Sequence, residues 1–313
     1  MRVCLDNVNF KSTSGPNSFG VRLASQLVKM GHDVVPQNQY HDVMLSFIHQ
    51  TSYAWPGAAK ILRLDGIWFK SENFEQNNRI IKDSYFSFDH VIFQSEFDKH
   101  MVETHFGKRS DCSVIHNGIN LKTYDKVPEL NHQNEKIFVC SAFWHPQKRL
   151  KENVCLFQHI RQQLINDKKE ARLYILGGGA TFEGLNSYDL ENVFYLGQQD
   201  HESCLRFYAS ADYFLHLAWL DHCPNVVVEA LSQRCPVICT DSGGTSEIVK
   251  ENGIIIPETT KYEYELTDYD SPYPIDFSSF ILPDTRPSVD PIHLDIEKVA
   301  EAYLKVFYDL QRT

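Results

Sequence analysis

The chain has 313 residues, 42% hydrophobic and 23% charged, with a formal net charge of −11. That length exceeds what one compact core usually supports, so two domains are expected. The acidic balance, with no Lys/Arg cluster beyond a few residues, argues against nucleic acid and anionic membrane as main partners. No stretch approaches the ~20 apolar residues of a membrane span, so no integral membrane segment is expected. The first eight residues are too polar to read as a signal peptide. Eight cysteines without C-x-x-C or Cys/His ligand spacing read as reduced thiols of a cytoplasmic protein.

In the first half, apolar runs predict strands at residues 2–8, 43–48, 59–64, 90–94 and 113–116. Between the first two, Phe19, Leu23, Leu27 and Met30 recur at helical spacing until Gly31 stops the helix. Ser95 is placed to cap another helix, with Phe97, Met101 and Val102 inward and Gly107 at its end. The polar residues 122–134 read as a linker.

Strands recur in the second half at residues 137–142, 172–176, 193–196, 213–217, 236–240 and 254–256. Leu150, Val154, Phe157 and Ile160 mark one intervening helix; Leu205, Tyr208 and Ala209 mark another. Alternating strands and helices in both halves predict two facing Rossmann-like α/β domains with an interdomain cleft. Residues 258–292, rich in Tyr, Asp and Pro, have no clear period and read either as an interdomain crossover or as an acceptor-binding insertion. A last helix carries Ile296, Val299, Tyr303, Leu304 and Phe307 on one face.

The most informative motif runs from Asp221 to Glu229, Asp-His-Cys-Pro-Asn-Val-Val-Val-Glu. Pro224 suits the first turn of a helix, and the free amides around Cys223, Asn225 and Val226 suit a phosphate. The two carboxylates, acceptor-only and charged, suit sugar and ribose hydroxyls. A solvated acid pair or the paired acids of a glycoside hydrolase are the alternatives for the pair alone.

Asp221-x7-Glu229 resembles the Glu-x7-Glu motif of glycosyltransferase family 4 (group 1 glycosyltransferases), which are retaining enzymes of the GT-B fold, with Asp in place of the usual first Glu. Further motifs agree in order. Gly15-Pro16-Asn-Ser-Phe-Gly20 resembles the family's glycine loop after the first strand; it lacks the middle glycine of a dinucleotide fingerprint. Asp65, in Arg63-Leu-Asp-Gly66, stands where many members carry a His that contacts the donor sugar; an Asx turn with Gly66 is its structural alternative. Asn117-Gly118 resembles the signature closing the first domain, and is also the strongest turn dipeptide. Lys148 matches the Lys that neutralises the donor diphosphate; the earlier Arg position holds Phe or Ala, and Arg149 is the candidate to compensate. Gly177 and Gly197 end strands whose loops border the nucleobase in the family. Ser242-Gly-Gly-Thr-Ser-Glu247 resembles the Gly-Gly-x-x-Glu turn beyond the donor sugar.

The resemblance implies an N-terminal, acceptor-side domain over residues 1–125, a donor domain over 135–290, and a C-terminal crossover helix within 291–313 that packs back on the first domain. It implies a retaining transferase that moves a sugar from a UDP- or GDP-linked nucleotide sugar, its co-substrate, to a glycan or glycoside acceptor. Asp65, Lys148, Asp221 and Glu229 carry the chemistry in that reading. Gly15, Pro16, Asn117, Arg149, Gly177, Gly197, Cys223, Pro224, Asn225, Val226 and Glu229 hold the donor. Neither a metal nor a cofactor is expected, since no cluster of oxygen ligands such as Asp-x-Asp is evident. Loops around residues 53–57 or 70–78 are candidates to meet the acceptor. A nucleotide-sugar epimerase and a catalytically inactive nucleotide-sugar binding protein are the rival readings.

Overall fold

A computed structural model of the chain describes residues 1–12, 14–130 and 134–311. Residues 131–133 of the predicted linker and 312–313 of the C-terminal segment lie outside the described residues.

The first half builds one parallel sheet in the order β2-β1-β3-β4-β5-β6. Its strands are β1 (Arg2–Asp6), β2 (Asp33–Val35), β3 (Val43–Phe47), β4 (Ala59–Leu64), β5 (His90–Phe93) and β6 (Cys112–Val114). Helices α1 (Gly15–Lys29), α2 (Phe74–Ser87) and α3 (Glu96–Phe106) flank it. Strands covered on both faces must be apolar throughout, and β3, Val-Met-Leu-Ser-Phe, is buried at every position. Its one polar side chain, Ser46, donates to the buried Asp6 carboxylate at 2.8 Å.

The second half builds another parallel sheet, ordered β12-β11-β10-β7-β8-β9. Its strands are β7 (Glu135–Ser141), β8 (Glu170–Leu176), β9 (Val193–Gly197), β10 (Tyr213–His216), β11 (Val237–Thr240) and β12 (Gly253–Ile256). The helices are α4 (Leu150–Asn166), α5 (His201–Ser210), α6 (Asn225–Ser232) and α7 (Thr245–Val249). In this sheet β7 lies between β8 and β10, so the chain order reverses there. The loops leaving β7 and β10 diverge to opposite faces and open a crevice at their carboxyl ends.

Helix α8 (Ile296–Gln311) turns its apolar face onto the first sheet. Ile296, Val299, Ala300, Tyr303, Leu304 and Phe307 join the core of α1, β1 and β3, each large side chain contributing ~1.5–3 kcal/mol on burial. The helix is fastened at its start, where the amide of Ile296 donates to the carbonyl of Ile119 at 2.9 Å. Gly118 is required by this packing: a Cβ there would lie 2.8 Å from Val299 Cγ2 and 3.1 Å from the Ile296 backbone.

Residues 257–291 form no helix or strand. They run as a strap over both halves: Tyr262, Tyr264, Tyr269 and Tyr273 pack on the first half's core, then Ile275, Phe277, Phe280 and Leu282 return to the second. The amide of Thr267 donates to the carbonyl of Phe69 at 2.8 Å, and Lys70 pairs with Asp268 and Asp270 at 2.8 and 2.6 Å. The expected open loop at 70–78 is therefore partly covered by the strap and partly the first turn of α2. Asn78 is buried there and donates to the carbonyl of Trp68 at 2.6 Å.

Candidate active site

The two halves face each other across a cleft of about 1110 Å³ at the carboxyl ends of their strands. Lys148 ends a short 3-10 turn, Pro146–Lys148, after β7, and Asp221 follows β10. The chain reversal between those strands aims both loops into the cleft. Lys148 Nζ lies 2.5 Å from Asp221 Oδ2, and His216 Nε2 lies 3.5 Å from the same oxygen. Burial would raise the Asp221 carboxyl, but Lys148 and His216 outweigh it and hold it well below the usual carboxylate range. Burial lowers His216 despite Asp221, so its imidazole is neutral near pH 7.

The loop bearing Asp221 is set by its neighbours. Leu220 takes a left-handed backbone (φ 55°), and its amide donates to Ser242 Oγ at 3.0 Å. Gly243 (φ +68°) passes so close beneath that a Cβ would lie 2.4 Å from the Asp221 carbonyl, and the Gly244 amide donates to that carbonyl at 2.7 Å. The Ser242-Gly-Gly motif thus supports Asp221 from below. Glu247, at the end of the motif, accepts instead from the amides of Glu96 and Phe97 at the start of α3, at 2.7 and 2.8 Å.

Helix α6 starts at Asn225, with Pro224 as its N-cap and no side-chain cap, so its first amides face the cleft available to an anion. Asn225 bridges the halves: its Nδ2 donates to the carbonyl of Gly15 at 3.0 Å, and its Oδ1 accepts from Arg22 Nη2 at 2.7 Å. Gly15 packs close to this bridge: a Cβ there would lie 3.2 Å from Asn225 Nδ2 and push that amide aside. Burial pushes the Cys223 thiol up to about 12, so it is a neutral wall residue. Its sulfur accepts from the amide of Asn117 at 3.4 Å. One turn into the helix, Glu229 meets Arg22 Nη1 at 3.5 Å and His201 Nε2 at 3.2 Å. The hydrogen bond with Glu229 raises the His201 pKa against the opposing effect of burial.

From the first half, Asp65 accepts from Arg63, whose guanidinium is buried between Phe19 and Phe47 at 4.5 and 4.8 Å. Arg63 also donates to Asn117 Oδ1 at 2.6 Å. A buried cation holding a carboxylate at the rim of a cleft is a fixed polar group, not a turn residue. Gly66 (φ +108°) keeps its neighbour clear, because a Cβ would lie 2.5 Å from the His222 ring.

The structure therefore brings Gly15, Pro16, Asp65, Asn117, Lys148, Asp221, Cys223, Pro224, Asn225, Val226 and Glu229 to one cleft. Arg149 is elsewhere: its side chain is buried, bonded to Glu258 at 2.6 Å and to the carbonyl of Tyr273 at 2.5 Å. An arginine committed to a buried carboxylate is no substitute diphosphate ligand, and that expectation is corrected. Gly177 and Gly197 do not line the cleft either. Gly177 is backbone scaffolding, its amide donating to the Gly197 carbonyl at 2.8 Å. Arg22, His145, His201 and His216 line the cleft and were not expected from sequence. Their only advance signal was position: Arg22 lies two residues past the Gly15–Gly20 motif, which the structure shows as the start of α1 and not a loop, and His216 closes a strand. Among the described residues no group of three or more His, Cys, Asp or Glu is placed to hold a metal ion.

Residues 122–265 match the family model of glycosyl transferases group 1. An uncharacterized glycosyltransferase of Methanocaldococcus jannaschii is 30% identical over 165 residues, 49% of this chain and 40% of that protein. The O-antigen biosynthesis glycosyltransferase WbnH of Escherichia coli is 28% identical over 142 residues, 43% of this chain and 38% of that protein. The match thus spans about two fifths of these curated relatives. The crystal structure of Anabaena HepE in complex with UDP superposes with a TM-score of 0.65 at 13% identity, covering 98% of this chain and 99% of that one. The two parallel sheets with their flanking helices are the GT-B fold.

Proposed function

We propose that this chain, whose residues 122–265 match the family model of the group 1 glycosyl transferases, transfers a sugar, with retention, from a UDP-linked donor to a hydroxyl of a glycan or glycoside. The observation that carries the reading is the convergence of Lys148, Asp221, Glu229 and the uncapped start of α6 on one cleft. Lys148 and the α6 amides neutralise the departing diphosphate. Glu229 accepts from the ribose hydroxyls and Asp221 from the donor sugar. The bond from the anomeric carbon to the diphosphate oxygen breaks, the acceptor oxygen bonds to that carbon on the same face, and its proton passes to the leaving phosphate. Asp65, fixed by Arg63, positions a sugar or acceptor hydroxyl.

The UDP of the Anabaena neighbour supports uridine over guanosine, and O-antigen biosynthesis by the Escherichia coli relative supports a glycan acceptor. We place the reaction in the cytoplasm, where eight free cysteines stay reduced; among the described residues no helix is long and apolar enough to cross a membrane. The charge on the leaving group is met by side chains and amides, so activity is expected to survive EDTA. The test is a thermal-shift screen with UDP, GDP and ADP, followed by assay of the stabilising nucleotide's sugars with glycan acceptors. Stabilisation by UDP and acceptor-dependent release of UDP support the reading. Donor isomerised without acceptor makes the protein an epimerase, and nucleotide bound without turnover makes it a binding protein.

A further inference from the structure

Phe143 lines the cleft yet leaves 63% of its surface exposed. Single exposed apolar side chains are common, but the loop that carries this one is pinned. The Ala142 amide donates to the Leu176 carbonyl at 3.4 Å, the Trp144 amide to the Gly178 carbonyl at 2.9 Å, and the Trp144 indole to the Leu176 carbonyl at 2.9 Å. With Trp144 buried as the loop's anchor, Phe143 is the residue turned outward. Gly177 (φ +99°) permits this contact, since a Cβ there would lie 1.8 Å from the Ala142 carbonyl oxygen. The phenyl ring rests on the Gly178–Gly179 ledge: Cβ positions built on those glycines fall 3.6 and 3.3 Å from it. The ring also meets the His145 imidazole, with centroids 4.9 Å apart at an interplanar angle of 46°, and its exposed part lines the cleft with Gln198 and Gln199.

We propose that Phe143 is the stacking platform for the donor's nucleobase, with Gln198 and Gln199 at the base edge; this rests on the nucleotide-sugar reading above. The direction of the nucleotide follows from the groups that would hold it. The diphosphate lies at Lys148 and the start of α6, between the loops of β7 and β10. The ribose lies at Glu229, whose partner His201 opens α5, immediately after the β9 loop. The nucleoside therefore runs toward β8 and β9, where Phe143 and the two glutamines stand, while the sugar points toward Asp221 and the first half. An aromatic face gives a flat base apolar contact and quadrupole stacking, and the amides of Gln198 and Gln199 offer both donors and acceptors.

The test is calorimetric titration of wild type, Phe143→Ala, Phe143→Leu and Phe143→Trp with UDP, GDP, ADP and a UDP-sugar, with melting curves as the control for folding. Both Ala and Leu variants are expected to bind the preferred nucleotide about tenfold more weakly, and the Trp variant to bind it as wild type does. Unchanged nucleotide affinity in Phe143→Ala overturns the proposal while leaving the transferase reading intact. So does a loss confined to the UDP-sugar, which would move the ring to the sugar. A wild-type protein that binds none of the three nucleotides overturns both readings.

Discussion

Lys148 Nζ sits 2.5 Å from Asp221 Oδ2, so the cation expected to meet a diphosphate already has an anionic partner. The pair is a preset one: Asp221 is ionised well below the usual carboxylate range, and the neutral His216 packs behind it. Removing either member leaves the other as an uncompensated charge in the cleft. Lys148→Ala is expected to lower kcat by about 10²–10³ and to weaken UDP as well, because Asp221 then repels the phosphates. Asp221→Asn frees Lys148, so UDP affinity holds or rises while transfer falls. The Lys148→Ala, Asp221→Asn double variant should recover UDP affinity relative to Lys148→Ala. Steady-state kinetics and titration of the four proteins measure this, and strict additivity would disprove the coupling.

Glu229 and His201 form the pH-dependent part of the cleft. The folded His201 pKa is raised above its ordinary 6.5, chiefly by Glu229. The stability it contributes is fully present below 6.5 and is lost as pH rises through the raised folded value. The difference in melting temperature between wild type and His201→Ala should be largest below pH 6.5 and shrink as the pH rises above it. Glu229→Gln removes the charge facing the ribose and is expected to raise the Kd for UDP about tenfold, with a smaller change in kcat than Lys148→Ala. A constant melting difference across the pH range would contradict the assignment.

Much of this arrangement is legible in the chain because the strands are continuous Val/Ile/Leu/Phe runs and the carboxylates flank an apolar helix. The parts that were not legible have physical reasons. The three residues of β2, Asp-Val-Val, are too few for a period. Helix α2 buries Phe74, Asn78, Ile81, Ser84 and Tyr85, its two polar members being satisfied by the Trp68 carbonyl outside the helix and the Ile80 carbonyl one turn back within it, so it shows no clean apolar face. Gly118 read as a turn residue, yet it serves the approach of α8 from almost two hundred positions on. The cation at position 22 reaches Glu229 only through tertiary packing, and no local spacing encodes that.

Arg149 separates position in the sequence from position in the site. Its guanidinium is buried against Glu258 and the Tyr273 carbonyl, at the root of the strap that crosses to the first half. Arg149→Ala strands the Glu258 carboxylate and is expected to cost about 3–5 kcal/mol of stability. Whatever folded protein remains should bind UDP with wild-type affinity, because the side chain does not face the cleft. Denaturant unfolding and nucleotide titration on the same preparation check both halves of the prediction. Loss of UDP affinity without loss of stability would return Arg149 to the diphosphate.

Glu247 ties the two halves together at a helix start. It caps α3 from the opposite sheet by accepting from the amides of Glu96 and Phe97, and His116 Nε2 lies 3.5 Å from it. Burial would raise its carboxyl, but His116 and the two amides outweigh this and hold it below its ordinary 4.5. A depressed carboxyl contributes stability that is present above 4.5 and lost as pH falls through the folded value. Glu247→Ala should therefore cost about 1 kcal/mol near neutral pH, with the gap to wild type shrinking as the solution is acidified below 4.5. Ser95 still caps the helix from within, accepting from the Asp98 amide at 3.0 Å, so α3 persists in the variant. What loosens is the contact between halves: the amides of Glu96 and Phe97 should exchange hydrogen faster while the rest of α3 stays protected. Unaltered exchange at those two amides would show that the latch does not hold in solution.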